Sequence, residues 1–228
     1  MNFIESKIAS FIDYTLLKPE TTSEQIIKLC EEAIEYKFAA VCVNPFYVSL
    51  VSKILRDSSV QVASVVGFPL GANLTEVKVL EARNAVENGA DEIDMVMNIG
   101  AFKNGDNKKV IEEIEAVIEA SNLAEVKVIV ETAVLNQKEK EIICKLLKES
   151  RVNYIKTSTG FIPGGGAVPE DIQLFKKILE DKIKIKASGG IQDLFYTRKL
   201  LNCGAERIGT SSGINIVLEE IEDRCRNK

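Results

Sequence analysis

Short apolar runs alternate along the chain with longer segments in which apolar residues recur every three or four positions. The short runs are rich in valine and isoleucine and end at glycine, proline or asparagine, which is typical of buried strands in a parallel sheet. They predict eight strands, at residues 12–17, 39–43, 61–66, 92–97, 126–131, 153–157, 183–187 and 207–209.

The longer segments predict amphipathic helices between these strands. Residues 23–36 carry the clearest pattern, with Ile26, Leu29, Cys30 and Ala33 on one face. A short opening helix, capped by Asn2, has Ile4, Ile8 and Phe11 as its apolar positions. The full set of predicted helices after it is 23–36, 74–88, 107–120, 138–148, 169–179, 193–201 and 214–222.

Regular alternation of strands and helices predicts a parallel α/β sheet. Eight such units within residues 1–228, with no linker or composition break, favour a single (β/α)8 TIM barrel preceded by a short N-terminal helix. A doubly wound open sheet is the structural alternative. It is disfavoured because no G-x-G-x-x-G turn follows the first strand.

Composition narrows the possible partners. The chain is 46% hydrophobic and 28% charged, with a net charge of −5 and no basic block, so nucleic acid is not an expected partner. No apolar run is long enough to cross a membrane, and the N-terminus lacks the apolar core of a signal peptide. We therefore expect a cytoplasmic protein that does not bind membranes.

The cysteines and histidines exclude several chemistries. The five cysteines are scattered without a C-x-x-C pair, which argues against a disulfide framework or a structural zinc site. There is no histidine, although catalytic zinc and the Ser-His and Cys-His nucleophile systems usually need an imidazole. We expect no metal and no cofactor, and acid–base work must fall to Lys, Asp, Glu, Tyr or water.

A lysine near the end of the sixth strand is the candidate nucleophile. Lys156 closes a largely apolar run and precedes three hydroxyl residues and Gly160. Desolvation favours the neutral amine of a buried lysine, and a neutral amine can form a Schiff base with a carbonyl. Taken alone, the same residue is equally explained as a strand-end lysine whose ammonium reaches water.

Alternation along the strands gives Lys156 charged neighbours. Successive residues of a strand face opposite sides, so Asp94, Lys127, Lys156 and Lys186 are all predicted to face the barrel interior. Each of them alone is compatible with a charge reaching solvent, but together they would be costly without a function. A second lysine beside Lys156 favours its neutral amine, and Asp94 is placed to relay a proton through water.

Glycine-rich turns follow the last two strands. Ser188-Gly189-Gly190 and residues 209–213 each lead from a strand into a helix. Backbone N–H groups at such turns bind phosphate, often after strands seven and eight of a barrel. Ordinary turn chemistry explains either loop alone, and the Pro163-Gly164-Gly165-Gly166 loop indicates no firm role.

Six motifs resemble those of the deoxyribose-phosphate aldolase family, in the right order over residues 12–212. They are Ile12-Asp13-Tyr14-Thr15-Leu16-Leu17-Lys18-Pro19, Cys42-Val43-Asn44-Pro45, Val65-Val66-Gly67-Phe68-Pro69-Leu70-Gly71, Glu92-Ile93-Asp94-Met95-Val96, Lys156-Thr157-Ser158-Thr159-Gly160 and Lys186-Ala187-Ser188-Gly189-Gly190. The resemblance implies a metal-independent class I aldolase on a (β/α)8 barrel. Such an enzyme reversibly cleaves 2-deoxy-D-ribose 5-phosphate to D-glyceraldehyde 3-phosphate and acetaldehyde.

The resemblance also implies roles for individual residues. Lys156 would form the Schiff base, Lys186 would tune its amine and take part in proton transfer, and Asp94 would exchange protons through water. Asp13 and Lys127 are secondary catalytic candidates. The phosphate would be bound by Gly160, Gly189, Gly190, Ser211 and Ser212. Lys186→Leu and Asp94→Ala are then expected to lose most activity while folding normally.

The resemblance implies small-molecule partners, namely a sugar phosphate and an aldehyde, and a small homo-oligomer, either a dimer or a tetramer. Two other functions stay open from the residues alone. One is a Schiff-base lyase acting on another phosphorylated sugar, and the other is a barrel that binds sugar phosphates without turnover. The retained set of Asp94, Lys156 and Lys186 argues against the second, because phosphate binding alone does not require it.

The chain departs from the family pattern at four places. Tyr14 stands where many members have histidine, and Phe161 stands where some have a lysine after the Lys-Thr-Ser-Thr-Gly motif. The loop of residues 163–166 differs from the usual one. The tail contains no tyrosine after Tyr196, so the proton-transfer assistance that a C-terminal tyrosine gives in some members should be absent.

Overall fold

The computed structural model describes residues 6–226 and contains a closed barrel of eight parallel strands, as predicted. Each strand is hydrogen-bonded to the next one in the sequence, and the last strand pairs with the first. The strands are β1 Ile12–Leu16, β2 Ala40–Val43, β3 Gln61–Val66, β4 Glu92–Val96, β5 Glu125–Ile129, β6 Tyr154–Lys156, β7 Lys184–Ser188 and β8 Arg207–Thr210.

Helices surround this barrel, and within the described residues they are α1 Ser23–Tyr36, α2 Val48–Leu55, α3 Thr75–Glu87, α4 Ile99–Lys103, α5 Asn107–Ala120, α6 Gln137–Lys148, α7 Pro169–Leu179, α8 Leu194–Asn202 and α9 Gly213–Arg226. A 3-10 turn at Ala9–Phe11 precedes β1. Asn2 and Ile4 of the predicted opening helix lie outside the described residues. None of the helices between residues 6 and 226 has the length and apolar content needed to cross a membrane.

Local sequence explains where these helices begin. Thr22 and Gln25 form a capping box at the start of α1, and Asn136 and Glu139 form another at the start of α6. Each box satisfies backbone N–H groups that would otherwise lack partners. The apolar faces of the helices then pack on the outward faces of the strands, which places the large core between helices and barrel.

Two helices were not predicted from the sequence. Helix α2 has eight residues and follows a 3-10 turn at Pro45–Tyr47, so its periodic apolar pattern of Val48, Val51 and Leu55 is too short to stand out. Helix α4 has five residues and begins after Asn98, whose side chain accepts a hydrogen bond from the amide of Ala101.

Strands β1, β2, β4, β5 and β6 are shorter than predicted, and β5 and β6 differ most clearly. Strand β5 ends at Ile129 because Glu131 adopts the left-handed backbone conformation (φ +54°) and turns the chain out of the ladder. Strand β6 has only three residues, but Thr157 prolongs its attachment to β7 through its side chain. The Thr157 hydroxyl donates to the Ser188 carbonyl and accepts from the Ser188 amide, each at 3.1 Å.

Candidate active site

The barrel interior is divided into an apolar side and a charged side. One small apolar cluster is separate from the main core. It contains Leu17, which directly follows β1, Ala40 and Cys42 of β2, and Ala63 and Val65 of β3. Burial, together with nearby Asp94, raises the pKa of the Cys42 thiol to about 11, so this thiol stays protonated near neutral pH. Strand β1, through Asp13, and strands β4 to β8 contribute charged side chains to the other side of the interior.

Strand register brings the four predicted interior charges together. Asp94 lies opposite Lys127 across the β4–β5 pair, and Lys156 lies opposite Lys186 across the β6–β7 pair. All four are buried, with no more than 3% of any of these residues exposed. The prediction that alternation directs them into the barrel therefore agrees with the structure.

Lys156 lies at the carboxyl end of β6, where it lines a cavity of about 380 Å³ that opens at this end of the barrel. Its Nζ is 2.6 Å from Oδ2 of Asp94. Lys186 Nζ is also 2.6 Å from that same oxygen, so one carboxylate oxygen bridges two ammonium groups. The arrangement holds the predicted nucleophile, the second lysine and the aspartate in direct contact.

Two further predicted residues complete the surroundings of Asp94. Lys186 contacts Oδ2 of Asp13 in addition to Asp94. Lys127 Nζ lies 3.1 Å from Oδ1 of Asp94 and also contacts Glu92. Lys127 is fully buried and does not line the cavity, so it supports Asp94 from below rather than facing a ligand.

Sequence reasoning missed two members of this network, Glu92 and Arg207. Arg207 bridges Asp13 at 2.7 Å and Glu92 at 3.1 Å, one layer deeper in the barrel than Lys156. Two signals were available in the sequence. Glu92 precedes Asp94 by two positions and so shares its face, and Arg207 begins the strand beside Lys186, with which it is in register.

The cations set the ionisation of both aspartates. Burial alone would raise the pKa of Asp94, but Lys127, Lys156 and Lys186 together hold it well below its ordinary value. Burial would also raise the pKa of Asp13, but Lys186 and Arg207 outweigh this effect and lower the pKa. Asp13 and Asp94 are therefore carboxylates at neutral pH.

The same contacts hold the supporting lysines in their charged form. Burial would lower the pKa of Lys186, but Asp13 and Asp94 raise it above its ordinary value. Asp94 and Glu92 do the same for the pKa of Lys127 against its burial. Both lysines are thus ammonium ions near pH 7, and Lys186 is a fixed positive charge beside Lys156.

Charges in this network do not balance. Among the described residues it contains four cations (Lys127, Lys156, Lys186 and Arg207) and three carboxylates (Asp13, Glu92 and Asp94). Lys127, Lys186 and Arg207 each contact two of these carboxylates. Lys156 contacts one, and the oxygen that it contacts is shared with Lys186.

Four of the five predicted phosphate residues line the cavity above Lys156, namely Gly160, Gly189, Gly190 and Ser211. The three glycines have positive φ angles between +74° and +88°, which a residue with a side chain rarely adopts. Ser212 does not line this cavity. Its amide instead donates to the Thr210 hydroxyl at 2.9 Å, so this amide already has a partner.

The departures from the family motifs have clear locations. Tyr14 does not line the cavity. Its ring packs against Phe38 at a tilt of 58° with centroids 5.0 Å apart, and its hydroxyl donates a hydrogen bond to Glu32 of α1. Phe161 packs edge-on against Phe68 at the cavity mouth. In the loop of residues 163–166, Gly166 lies so close to the Gly189 carbonyl that a Cβ would come within 2.6 Å of it.

Comparison with known proteins identifies the family. The sequence profile described as "DeoC/LacD family aldolase" matches residues 8–219. A protein of Natranaerobius thermophilus named deoxyribose-phosphate aldolase is 53% identical, over 93% of this chain and 96% of its own length.

Solved structures agree with that match. "QR15, an Aldolase" superposes with a TM-score of 0.93 at 41% identity, covering 97% of this chain and 99% of its own. The deoxyribose phosphate aldolase from Aeropyrum pernix, described as a unique tetrameric structure, gives a TM-score of 0.87 at 31% identity, covering 95% and 92%. This chain belongs to the DeoC/LacD aldolase family and is an aldehyde-lyase.

Proposed function

We propose that this enzyme reversibly cleaves 2-deoxy-D-ribose 5-phosphate to D-glyceraldehyde 3-phosphate and acetaldehyde, through a Schiff base on Lys156. The observation that carries the proposal is the position of Lys156. It is the buried lysine whose side chain lines the cavity, and its amine contacts the carboxylate that Lys186 also contacts. The substrate is the one named for the relative from Natranaerobius thermophilus.

Contacts within the charged network support Lys156 over the other two lysines of this network as the nucleophile. Loss of one proton would balance the four cations against the three carboxylates. Lys127 and Lys186 each have two carboxylate neighbours and would lose more electrostatic stabilisation on becoming neutral. Lys156 has one, and the oxygen that it contacts is shared with Lys186, so Lys156 has the fewest carboxylate contacts of the three lysines.

The first half of the reaction forms the imine. The neutral amine of Lys156 attacks C1 of the open-chain sugar, and the aldehyde oxygen becomes the hydroxyl of a carbinolamine. The Lys186 ammonium protonates this hydroxyl, which leaves as water and produces a protonated imine at C1. Asp94 contacts both amines and is ionised at this stage, so it stabilises the positive charge on the imine nitrogen.

The second half breaks the C2–C3 bond. A base removes the proton of the C3 hydroxyl, the C3 carbonyl forms, and the electron pair of the broken bond moves to the imine to give an enamine. Asp94 accepts this proton through a water molecule, and D-glyceraldehyde 3-phosphate departs. The proton held by Asp94 then passes through water to C2 of the enamine. Hydrolysis of the resulting imine releases acetaldehyde, returns a proton to Lys186 and restores the neutral amine of Lys156.

The apolar side of the barrel favours acetaldehyde as the two-carbon product. Leu17, Cys42 and Val65 lie on the interior side opposite the charged strands, and Cys42 Sγ is 4.0 Å from Asp94 Oδ2. A methyl group is compatible with such a surface, whereas a hydroxylated donor carbon would lose hydrogen bonds to water there. This surface argues against a lyase whose donor product carries a hydroxyl group.

Borohydride reduction in the presence of acetaldehyde tests the nucleophile. We expect an N-ethyl modification on Lys156, located by peptide mapping, and none in the Lys156→Met variant. Because Lys127 and Lys186 are buried in the same network, they serve as internal controls in the same digest. Modification of either one in the wild type, with Lys156 unmodified, would contradict the proposed mechanism.

We also propose a small homo-oligomer, a dimer or a tetramer. Phe46, Leu70 and Leu74 lie in the loops after β2 and β3 and leave 85%, 71% and 66% of their surfaces exposed. Large exposed apolar residues close together in the fold are typical of an interface, and the relative from Aeropyrum pernix is described as tetrameric. Light scattering on the purified protein measures the mass directly, and a monomer at micromolar concentration would contradict this proposal.

A further inference from the structure

We propose that Lys18 supplies the cation that binds the substrate phosphate and so determines the preference for phosphorylated over free sugar. The inference rests on the proposed function, and it assigns a role to a residue outside the predicted set of catalytic and phosphate residues. Three features of the structure support it: the closure of the barrel, the charges that line the cavity, and the hydrogen bonds that hold the backbone around Lys18.

Barrel closure brings Lys18 to the phosphate loops. Strand β1 pairs with β8, with Tyr14 in register with Thr210, so the two strands reach the same end of the barrel side by side. Lys18 follows the last residue of β1 by two positions, and Ser211 follows β8 directly. Both residues line the cavity of about 380 Å³ above Lys156, together with Gly160, Gly189 and Gly190.

The charged residues that line this cavity indicate which cation can pair with the phosphate. Its lining contains two cations, Lys156 and Lys18, and no carboxylate. In the proposed mechanism Lys156 forms the imine, and its amine contacts Asp94 of the charged network. Phosphate bound by backbone N–H groups commonly has a lysine or arginine partner as well. Lys18 is the remaining cation.

Position 161 does not provide this charge. The Phe161 ring packs edge-on against Phe68, with centroids 5.0 Å apart, and so contributes apolar surface to the cavity mouth. Lys18 is exposed, and no carboxylate of residues 6–226 forms an ion pair with it. Its ammonium is therefore available to an anion in the cavity without first breaking an internal salt bridge.

Hydrogen bonds on both sides of Lys18 hold its backbone in place. The Asn44 side chain donates to the carbonyl of Leu17 at 3.2 Å. The Lys18 carbonyl accepts from the amide of Thr21 at 3.2 Å and from its hydroxyl at 2.7 Å. Tyr47 in turn donates its hydroxyl to the carbonyl of Thr21. A fixed backbone lowers the entropy cost of presenting a long side chain to a ligand.

The preference for phosphate provides the first test. We expect Lys18→Met to lower kcat/KM for 2-deoxyribose 5-phosphate about tenfold, the loss of one charge-assisted hydrogen bond, or about 1.4 kcal/mol. For unphosphorylated 2-deoxyribose, kcat/KM should change less than about twofold, since the lost contact is absent from that reaction. Lys18→Arg should retain most of the preference, and Lys53→Met, at an exposed lysine of α2 outside the cavity, should match the wild type.

A purely structural role of Lys18 would lower both kcat/KM values in parallel, and that result would overturn the inference. The second test does not depend on turnover. Titration calorimetry with inorganic phosphate should give about tenfold weaker binding to Lys18→Met than to wild type or Lys53→Met. Equal binding to all three proteins, or no binding to the wild type, would refute the role of Lys18. If wild type binds phosphate through Lys18 but does not cleave 2-deoxyribose 5-phosphate, the proposed function fails and the phosphate-binding role stands.

Discussion

Replacement of Lys186 by methionine tests the charged network most directly. The Lys186 ammonium is completely buried, contacts Asp13, and lies 2.6 Å from Asp94. Methionine keeps most of the side-chain volume but removes the charge and its hydrogen bonds. In the proposed mechanism this change also removes the proton donor for the carbinolamine, so kcat should fall by a factor of about 10² or more.

The structure changes what this substitution should do to stability. The sequence alone predicted that a Lys186 variant folds normally, because it did not reveal that the ammonium neutralises two buried carboxylates. Removing one partner of a buried ion pair leaves an uncompensated charge and costs about 3–5 kcal/mol. Since a typical domain has only about 5–15 kcal/mol of unfolding free energy, the variant should fold but with a much smaller free energy of unfolding than the wild type.

Lowering the pH should reduce this loss. In the wild type, the pKa values of Asp13 and Asp94 are depressed by their cations, so their contribution to stability is present above the unfolded value of about 3.9 and is lost in acid. Without Lys186, burial shifts both pKa values upward, and protonation then relieves the uncompensated charge. The stability difference between wild type and variant should therefore be largest near pH 7 and shrink as the pH falls towards 4.

Urea unfolding followed by circular dichroism at pH 7 and pH 5 measures this effect, with two matched variants. Lys184→Met, two positions earlier on the same strand but half exposed, should leave stability unchanged. Lys156→Met removes the cation in excess of the carboxylates, so it should abolish activity while costing far less stability than Lys186→Met. Equal stability losses for Lys156→Met and Lys186→Met at pH 7 would refute the reasoning from charge balance.

Three further substitutions test separate parts of the site. Asp94→Asn should lower kcat about 10²-fold or more, because three lysines lose their shared carboxylate; near wild-type turnover would remove Asp94 from the mechanism. Gly189→Ala should raise KM for the phosphorylated substrate, because its Cβ would lie 3.0 Å from Gly166 Cα. Gly105→Ala, at a similar positive φ but with open space around its Cβ, should leave KM unchanged. Equal KM values for Gly189→Ala and Gly105→Ala would contradict the phosphate role of this turn. Tyr14→Phe should keep wild-type kcat and lose about 1 kcal/mol of unfolding free energy with the Glu32 hydrogen bond, and a tenfold loss of kcat would place Tyr14 in the reaction.

The parts of the site that the sequence predicted depend on local periodicity. In a strand, the side-chain direction alternates with every residue, so placing Asp94, Lys127, Lys156 and Lys186 on inward faces required only correct strand assignments. Once the strands are parallel and ordered, their carboxyl ends meet at one end of the barrel. This is why Gly189, Gly190 and Ser211 of the cavity lining could be found from turns that follow the last two strands.

The parts that the sequence did not predict depend on contacts between distant segments. Arg207 reaches Asp13 across 194 positions of sequence, and this pairing exists only because the last strand closes against the first. The family resemblance implied that Ser212 binds phosphate together with Ser211. The Ser212 amide donates to the side-chain hydroxyl of Thr210 in the same turn, and the periodicity of the sequence does not indicate such a hydrogen bond.

In the proposed mechanism, the layered charges explain why one lysine acts as the nucleophile in an interior that holds several. Lys127 and Arg207 form the lower layer, where each cation is held between two carboxylates and is protected from ligands by the side chains above it. This layer fixes Asp94 from below, which in turn fixes the distances to Lys156 and Lys186. The cation in excess of the carboxylates lies at Lys156, the residue of this network that borders the cavity, and in the proposed mechanism this position makes Lys156 the nucleophile.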